Sequence, residues 1–251
     1  MADEQGGLLR REVLRRIATV TGATASAAVT GAPLAAVPAA AAEGQASAPA
    51  GAASAPQAPG YQSLGPGEAA VVEALVDVMC PADHLTPSGT DCGLAVFIDR
   101  QLAGGFGHGE RLYMRGPWRQ GKPQFGYQLP LTPERFFKAG VAAFNDACRR
   151  AHGKNFDALP RGDADAFLAA VAGGKVTDPR VPLAEWFNDL VYPLFVEACF
   201  ADPLYGGNRD KVFWQMVGYP GLPATHRRDM VEYRGKPYPG ARDPKSIADF
   251  S

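Results

Sequence analysis

Between Thr132 and Gly153 the apolar residues Phe137, Val141, Phe144, Cys148 and Ala151 recur along one helical stripe for about five turns. Thr132-Pro133-Glu134 supplies a cap, a proline in the first turn and an early acid, and Gly153 supplies a stop. A stripe this long must be covered by other elements. The remaining periodic runs are also helical. Pro66 opens a run carrying Val71, Val72, Leu75, Val76 and Met79 that stops at Cys80-Pro81. Leu94, Phe97, Ile98 and Leu102 mark a shorter helix ended by Gly104-Gly105, and Pro160 to Ala172 reads as another, closed by Gly173-Gly174. Leu183, Trp186, Phe187, Leu190, Leu194 and Cys199 form a long apolar helix interrupted by Pro193, where a kink is expected. No strand pairs and no internal repeat are visible. The predicted fold is mostly α, a compact bundle of about six helices with long irregular Gly/aromatic loops and an extended C-terminal tail.

A hydrophobic share of 46% with 10% aromatics suffices for a buried core, and a formal net charge of -1 gives no electrostatic ground for a nucleic-acid partner. The first residues stand apart from the fold. Arg10, Arg11, Arg15 and Arg16 precede a weakly apolar Ala/Val/Thr/Gly stretch ending at Ala40-Ala41-Ala42, which is the architecture of an export signal. LRREVLRR resembles a twin-arginine signal with Arg10 and Arg11 as the pair. Cleavage after Ala42 is expected, and with it a periplasmic location. Residues 43–63, rich in Ala, Pro and Gln, read as a flexible linker, residues 64–221 as the helical domain and 222–251 as the extended tail.

The cysteines Cys80, Cys92, Cys148 and Cys199 lack the spacing of metal, redox or covalent-haem sites. In an oxidising compartment they can form up to two disulfides. Cys80 with Cys92 would staple the loop between the first two helices, adding about 2–4 kcal/mol. Cys148 with Cys199 would be the second pair, with burial as small hydrophobes the alternative. The four histidines are scattered singly, and no nucleophile elbow or phosphate-cradling loop is present. An active site within this chain alone is hard to place, and neither a metal nor a cofactor is expected in it.

What stands out is aromatic residues in glycine-rich loops. The segment 104–130 has neither period yet carries Phe106, Tyr113, Trp118, Phe125 and Tyr127, and a loop that long tends to be functional or ordered by a partner. The segment 200–221 places Tyr205, Gly206, Gly207, Asn208, Arg209 and Trp214 together. There Asp202-Pro203 would end the kinked helix. Gly206-Gly207 would allow a tight reversal with positive φ, and Asn208 would cap a short helix through Val217. Large anchors with backbone freedom around them are the composition of a protein interface. Tyr113, Trp118, Tyr127, Tyr205, Gly206, Gly207, Asn208, Arg209 and Trp214 are therefore the candidate interface residues.

Four segments, PADHLTPSGTDCGLAVFIDRQLAG at 81–104, ERLYMRGPW at 110–118, QFGYQLPLTP at 124–133 and ADPLYGGNRDKVFWQMVGYPG at 201–221, together resemble the gluconate 2-dehydrogenase subunit 3 family. The resemblance runs from about Leu64 to Phe250. It implies the noncatalytic small subunit of a membrane-associated complex. The other parts would be a large FAD-bearing dehydrogenase subunit and a membrane-anchored multihaem cytochrome c. The flavin, the haem c and any iron-sulfur cluster would belong to those chains. The large subunit in such complexes generally lacks a signal of its own, so this chain's signal would carry it across already folded. The tail, YRGKPYP through DPKSIADFS, resembles the longer members acting on sugar acids, which makes gluconate or 2-ketogluconate the expected substrate. The alternative is an independent periplasmic enzyme or ligand-binding protein using the 104–130 loop.

Overall fold

The computed structural model describes residues 60–250 apart from 120, 123, 124, 126, 224 and 225. The export signal with Arg10 and Arg11, and the linker as far as residue 59, lie outside the described residues. The fold is mostly helical and compact, as predicted, and no strand forms among the described residues.

Helix α1, Pro66–Met79, starts where Pro66 can occupy the first turn without losing a needed donor, and the Glu68 carboxylate accepts from the Gly65 N–H at 2.9 Å. Its buried face is Val71, Val72, Leu75, Val76 and Met79. Helix α2 spans Leu94–Ala103 and is followed at once by a short α3, Gly105–His108, where the sequence predicted only an irregular loop. Helix α4, Pro133–His152, is capped by Thr132, whose hydroxyl accepts from the Arg135 N–H at 3.4 Å, and closed by Gly153 in the left-handed region. Helix α5 is Arg161–Ala172.

The centre of the core is a cluster of rings. Phe144 lies 4.8 Å from Phe156, 5.2 Å from Phe167 and 5.4 Å from Trp186, measured between centroids. Trp186 is wholly buried and seats its indole against Gly140 of α4, where a Cβ would stand 2.0 Å from its Nε1. Close approach of the two elements therefore depends on that glycine.

Trp186 begins the element that departs from the expected kinked helix. A short α6, Leu183–Glu185, runs into a π turn, Trp186–Val191, and then into α7, Tyr192–Phe200. The Tyr192 N–H bonds to the Phe187 carbonyl, five residues back. Pro193 has no N–H to offer, and the chain absorbs the interruption by changing hydrogen-bond register just ahead of it.

Residues 62–64 are tied down by one buried carboxylate. Asp99 of α2 accepts from the main-chain N–H groups of Gln62 at 2.6 Å and of Ser63 and Leu64 at 2.8 Å. The folded domain thus begins slightly before residue 64, because three otherwise orphaned donors find their acceptor on α2.

The tail does not follow the extended course predicted for it. It folds back through a turn of helix at Arg227–Glu232 and 3-10 turns at Pro239–Arg242 and Ile247–Phe250. Lys245 pairs in parallel with Gly221, its N–H donating to Pro220 at 3.0 Å and its carbonyl accepting from Leu222 at 2.8 Å. Prolines and glycines here make turns that bring the chain back onto the 200–221 segment.

Candidate functional site

The irregular segment after α3 is anchored at both ends, since α3 packs on α2 and α4 and Thr132 fixes the start of α4. The described residues between these anchors line a groove of about 530 Å³. Tyr113, Trp118, Phe125 and Tyr127 line it, joined by Asp189 from the π turn. Tyr113 is 78% exposed and Phe125 66%, whereas Tyr127 is half-buried with its ring 4.4 Å from that of Phe136. Two polar groups here bear on what the groove can hold. The Tyr127 hydroxyl is buried without a hydrogen bond, and burial raises its pKa. Asp189 takes part in no ion pair among the described residues; although the residue is exposed, partial desolvation raises its carboxyl pKa.

The second surface is built from 202–213. Asp202 accepts from the Leu204 N–H at 3.0 Å and, with its other oxygen, from the Ile247 N–H at 2.8 Å, so it fixes both the turn Pro203–Tyr205 and the returning tail. Gly206 has φ +103, as a tight reversal requires. Gly207 does not share that positive φ. Its need is space, because a Cβ there would meet the Ala198 carbonyl oxygen at 2.4 Å.

Asn208 departs from its predicted role as a simple cap. It is fully buried and left-handed at φ 47, and its side chain spans two elements: Nδ2 donates to the Ala201 carbonyl at 3.1 Å and Oδ1 accepts from the Phe213 N–H at 3.0 Å. A 3-10 turn, Arg209–Lys211, separates it from the short helix Val212–Val217. Arg209 closes the segment onto the loop before α2, its N–H donating to the Cys92 carbonyl and its guanidinium to the Asp91 carbonyl, both at 3.0 Å.

The predicted interface residues therefore separate into three groups. Tyr113, Trp118 and Tyr127 meet in the groove, while Tyr205, Gly206 and Arg209 shape the second surface. Trp214, Gly207 and Asn208 are buried and cannot be surface anchors in this chain. Trp214 is only 4% exposed, and its Nε1 donates to the Phe200 carbonyl at 2.8 Å. Asp189 was missed, as was Leu204, an exposed neighbour of Tyr205. Neither carries a sequence signal, since one lies in an apolar helical run and the other in a turn.

All four cysteines are buried. The sulfurs of Cys80 and Cys92 each lie 3.8 Å from the Pro87 carbonyl oxygen, so the loop brings this pair to one place. Cys199 and Cys80 both line a cavity of about 80 Å³ with Met79, Phe195 and Phe213. Burial raises the Cys148 thiol pKa. Among the described residues no three His, Cys, Asp or Glu side chains are grouped to hold a metal ion, and no helix is long and apolar enough to cross a membrane.

Fold and surface together define a class, an all-helical domain whose irregular segments are built into shaped aromatic surfaces. The family described as Gluconate 2-dehydrogenase subunit 3 matches residues 66–221, from the first residue of α1 to the end of the 200–221 segment, and the chain belongs to that family. No curated protein and no solved structure matches it.

Proposed function

We propose that this chain is the noncatalytic small subunit of a membrane-associated, FAD-dependent dehydrogenase complex acting on gluconate or 2-ketogluconate. Its task is to hold the flavoprotein subunit in a stable fold and to carry it to the periplasm on the twin-arginine signal of residues 1–42, whose pair is Arg10-Arg11. The observation that carries this reading is the family match over residues 66–221, which takes in the whole helical core and both aromatic surfaces. The exposed Tyr113 and Tyr205 support it, because large rings held in shaped loops are what a partner surface needs. FAD, haem c and any iron-sulfur cluster would reside in the flavoprotein and in a membrane-anchored multihaem cytochrome c subunit.

Expression of the flavoprotein with and without this chain tests the reading. Soluble, flavin-loaded large subunit should be recovered only when the two are made together. Equal recovery from the large subunit alone would refute it.

The groove favours one second reading, an independent periplasmic enzyme or ligand-binding protein using the 104–130 loop. Substrate turnover or a bound cofactor in the purified chain without a partner would support that reading instead.

A further inference from the structure

The groove lining combines features that specify more than an apolar surface. Among the described residues, Asp189 brings a carboxylate that no ion pair neutralises, and Tyr127 brings a buried hydroxyl without a partner. Both can accept hydrogen bonds. The nearby amide of Gln128 is already engaged, its Nε2 donating to the Phe125 carbonyl at 3.2 Å. The walls are the rings of Trp118, Tyr113 and Phe125.

An occupant suited to this set must be cationic, rich in donors and flat enough to lie against rings. A guanidinium meets all three demands: it carries five N–H donors and no acceptor, pairs with a carboxylate through two parallel bonds, and stacks on aromatic faces. An ammonium group would satisfy the charge but not the planarity. Arg119 also lines the groove, yet no ion pair joins it to Asp189 in the described structure.

We propose that the groove receives an arginine side chain of the flavoprotein subunit, its guanidinium stacked on Trp118 and paired with Asp189, with the Tyr127 hydroxyl as a further acceptor. This rests on the small-subunit reading and adds to it the chemistry of one contact. Asp189 is exposed, so an incoming guanidinium can reach its carboxylate directly from solvent.

The test uses the purified chain and three probes, N-acetyl-arginine amide, its uncharged citrulline counterpart and N-acetyl-lysine amide, followed by shifts of the Trp118 indole resonance. The arginine probe should bind most tightly, the citrulline probe should bind about tenfold more weakly or not at all, and Asp189→Asn should erase the difference. Asp189→Glu should restore part of it, and thermal melts should show that both variants remain folded. Equal binding of arginine and citrulline probes would overturn the proposal. Binding that appears only in Arg119→Ala would also overturn it, by showing that the chain's own arginine fills the site. Co-purification separates this inference from the reading it rests on. If Asp189→Asn recovers as much flavoprotein as the unaltered chain, the arginine contact fails while the subunit role stands. If the flavoprotein does not need the chain at all, the subunit role itself fails.

Discussion

The indole nitrogen of Trp186 donates to the main-chain carbonyl of Phe137 at 3.1 Å, across a gap that α4 leaves open at Gly140. This contact joins the longest helix to the π turn and satisfies the one polar atom of the largest buried side chain. Gly140→Ala should destabilise the domain by about 1–3 kcal/mol, because neither backbone nor indole can withdraw without disturbing the ring cluster. Thermal melting checks this, and an unchanged midpoint would show that the indole has room to move.

Asp99 gathers three main-chain donors from residues 62–64 while fully buried. Asp99→Asn removes the charge and turns part of the acceptor into a donor facing other donors. A loss of about 1.5–3 kcal/mol is expected, the scale of hydrogen bonds to a charged group. Amide exchange at Gln62, Ser63 and Leu64 should accelerate first, before exchange in the core of α4.

The 202–213 segment should be sensitive to small changes that leave its surface chemistry untouched. Gly207→Ala pushes a methyl into the Ala198 carbonyl, and Asn208→Ala removes the side-chain bonds to the Ala201 carbonyl and the Phe213 N–H. Losing a hydrogen bond in a buried setting costs about 1–3 kcal/mol. Both variants should lower recovery of the flavoprotein although neither residue is exposed. Tyr205→Ala should lower recovery with no change in the chain's own melting temperature, and pull-down beside melting curves separates the two behaviours.

The end of the tail should respond to acid. The Lys211 ammonium at 2.5 Å and the Ser246 N–H at 2.6 Å hold Asp249 down to about 2. A carboxylate with a folded pKa below its unfolded value of about 3.9 stabilises the folded form above that value and loses the contribution as pH falls toward the folded pKa. The tether of Ile247–Phe250 should therefore weaken between about pH 4 and pH 2. The Ser246 amide resonance should titrate in that window, and Asp249→Asn should abolish the titration.

The helix boundaries were legible wherever proline or glycine punctuates the chain. Pro66, Thr132-Pro133 and Gly153 mark ends that a local rule can read, because caps and stops are set by the residues themselves. The π turn was not legible, since Pro193 announces a break but not how the hydrogen bonds rearrange around it. Trp214 shows a second limit. An aromatic in a glycine-rich segment suits an interface and a core equally well, and only the path of the chain past Phe200 decides between them. Asn208 and the folded tail depend on contacts with Ala201, Asp202 and Gly221, which composition does not reveal. Asp189 became part of the groove through the same long-range geometry.

Flavin-dependent dye reduction in the periplasm tests the central claim most directly. It should be measured in cells carrying the intact chain, cells lacking it, and cells in which Arg10-Arg11 is replaced by Lys-Lys. Activity is expected in the first and its loss from the periplasm in the other two, with the flavoprotein retained inside the cell or degraded. Equal periplasmic activity in all three would contradict it.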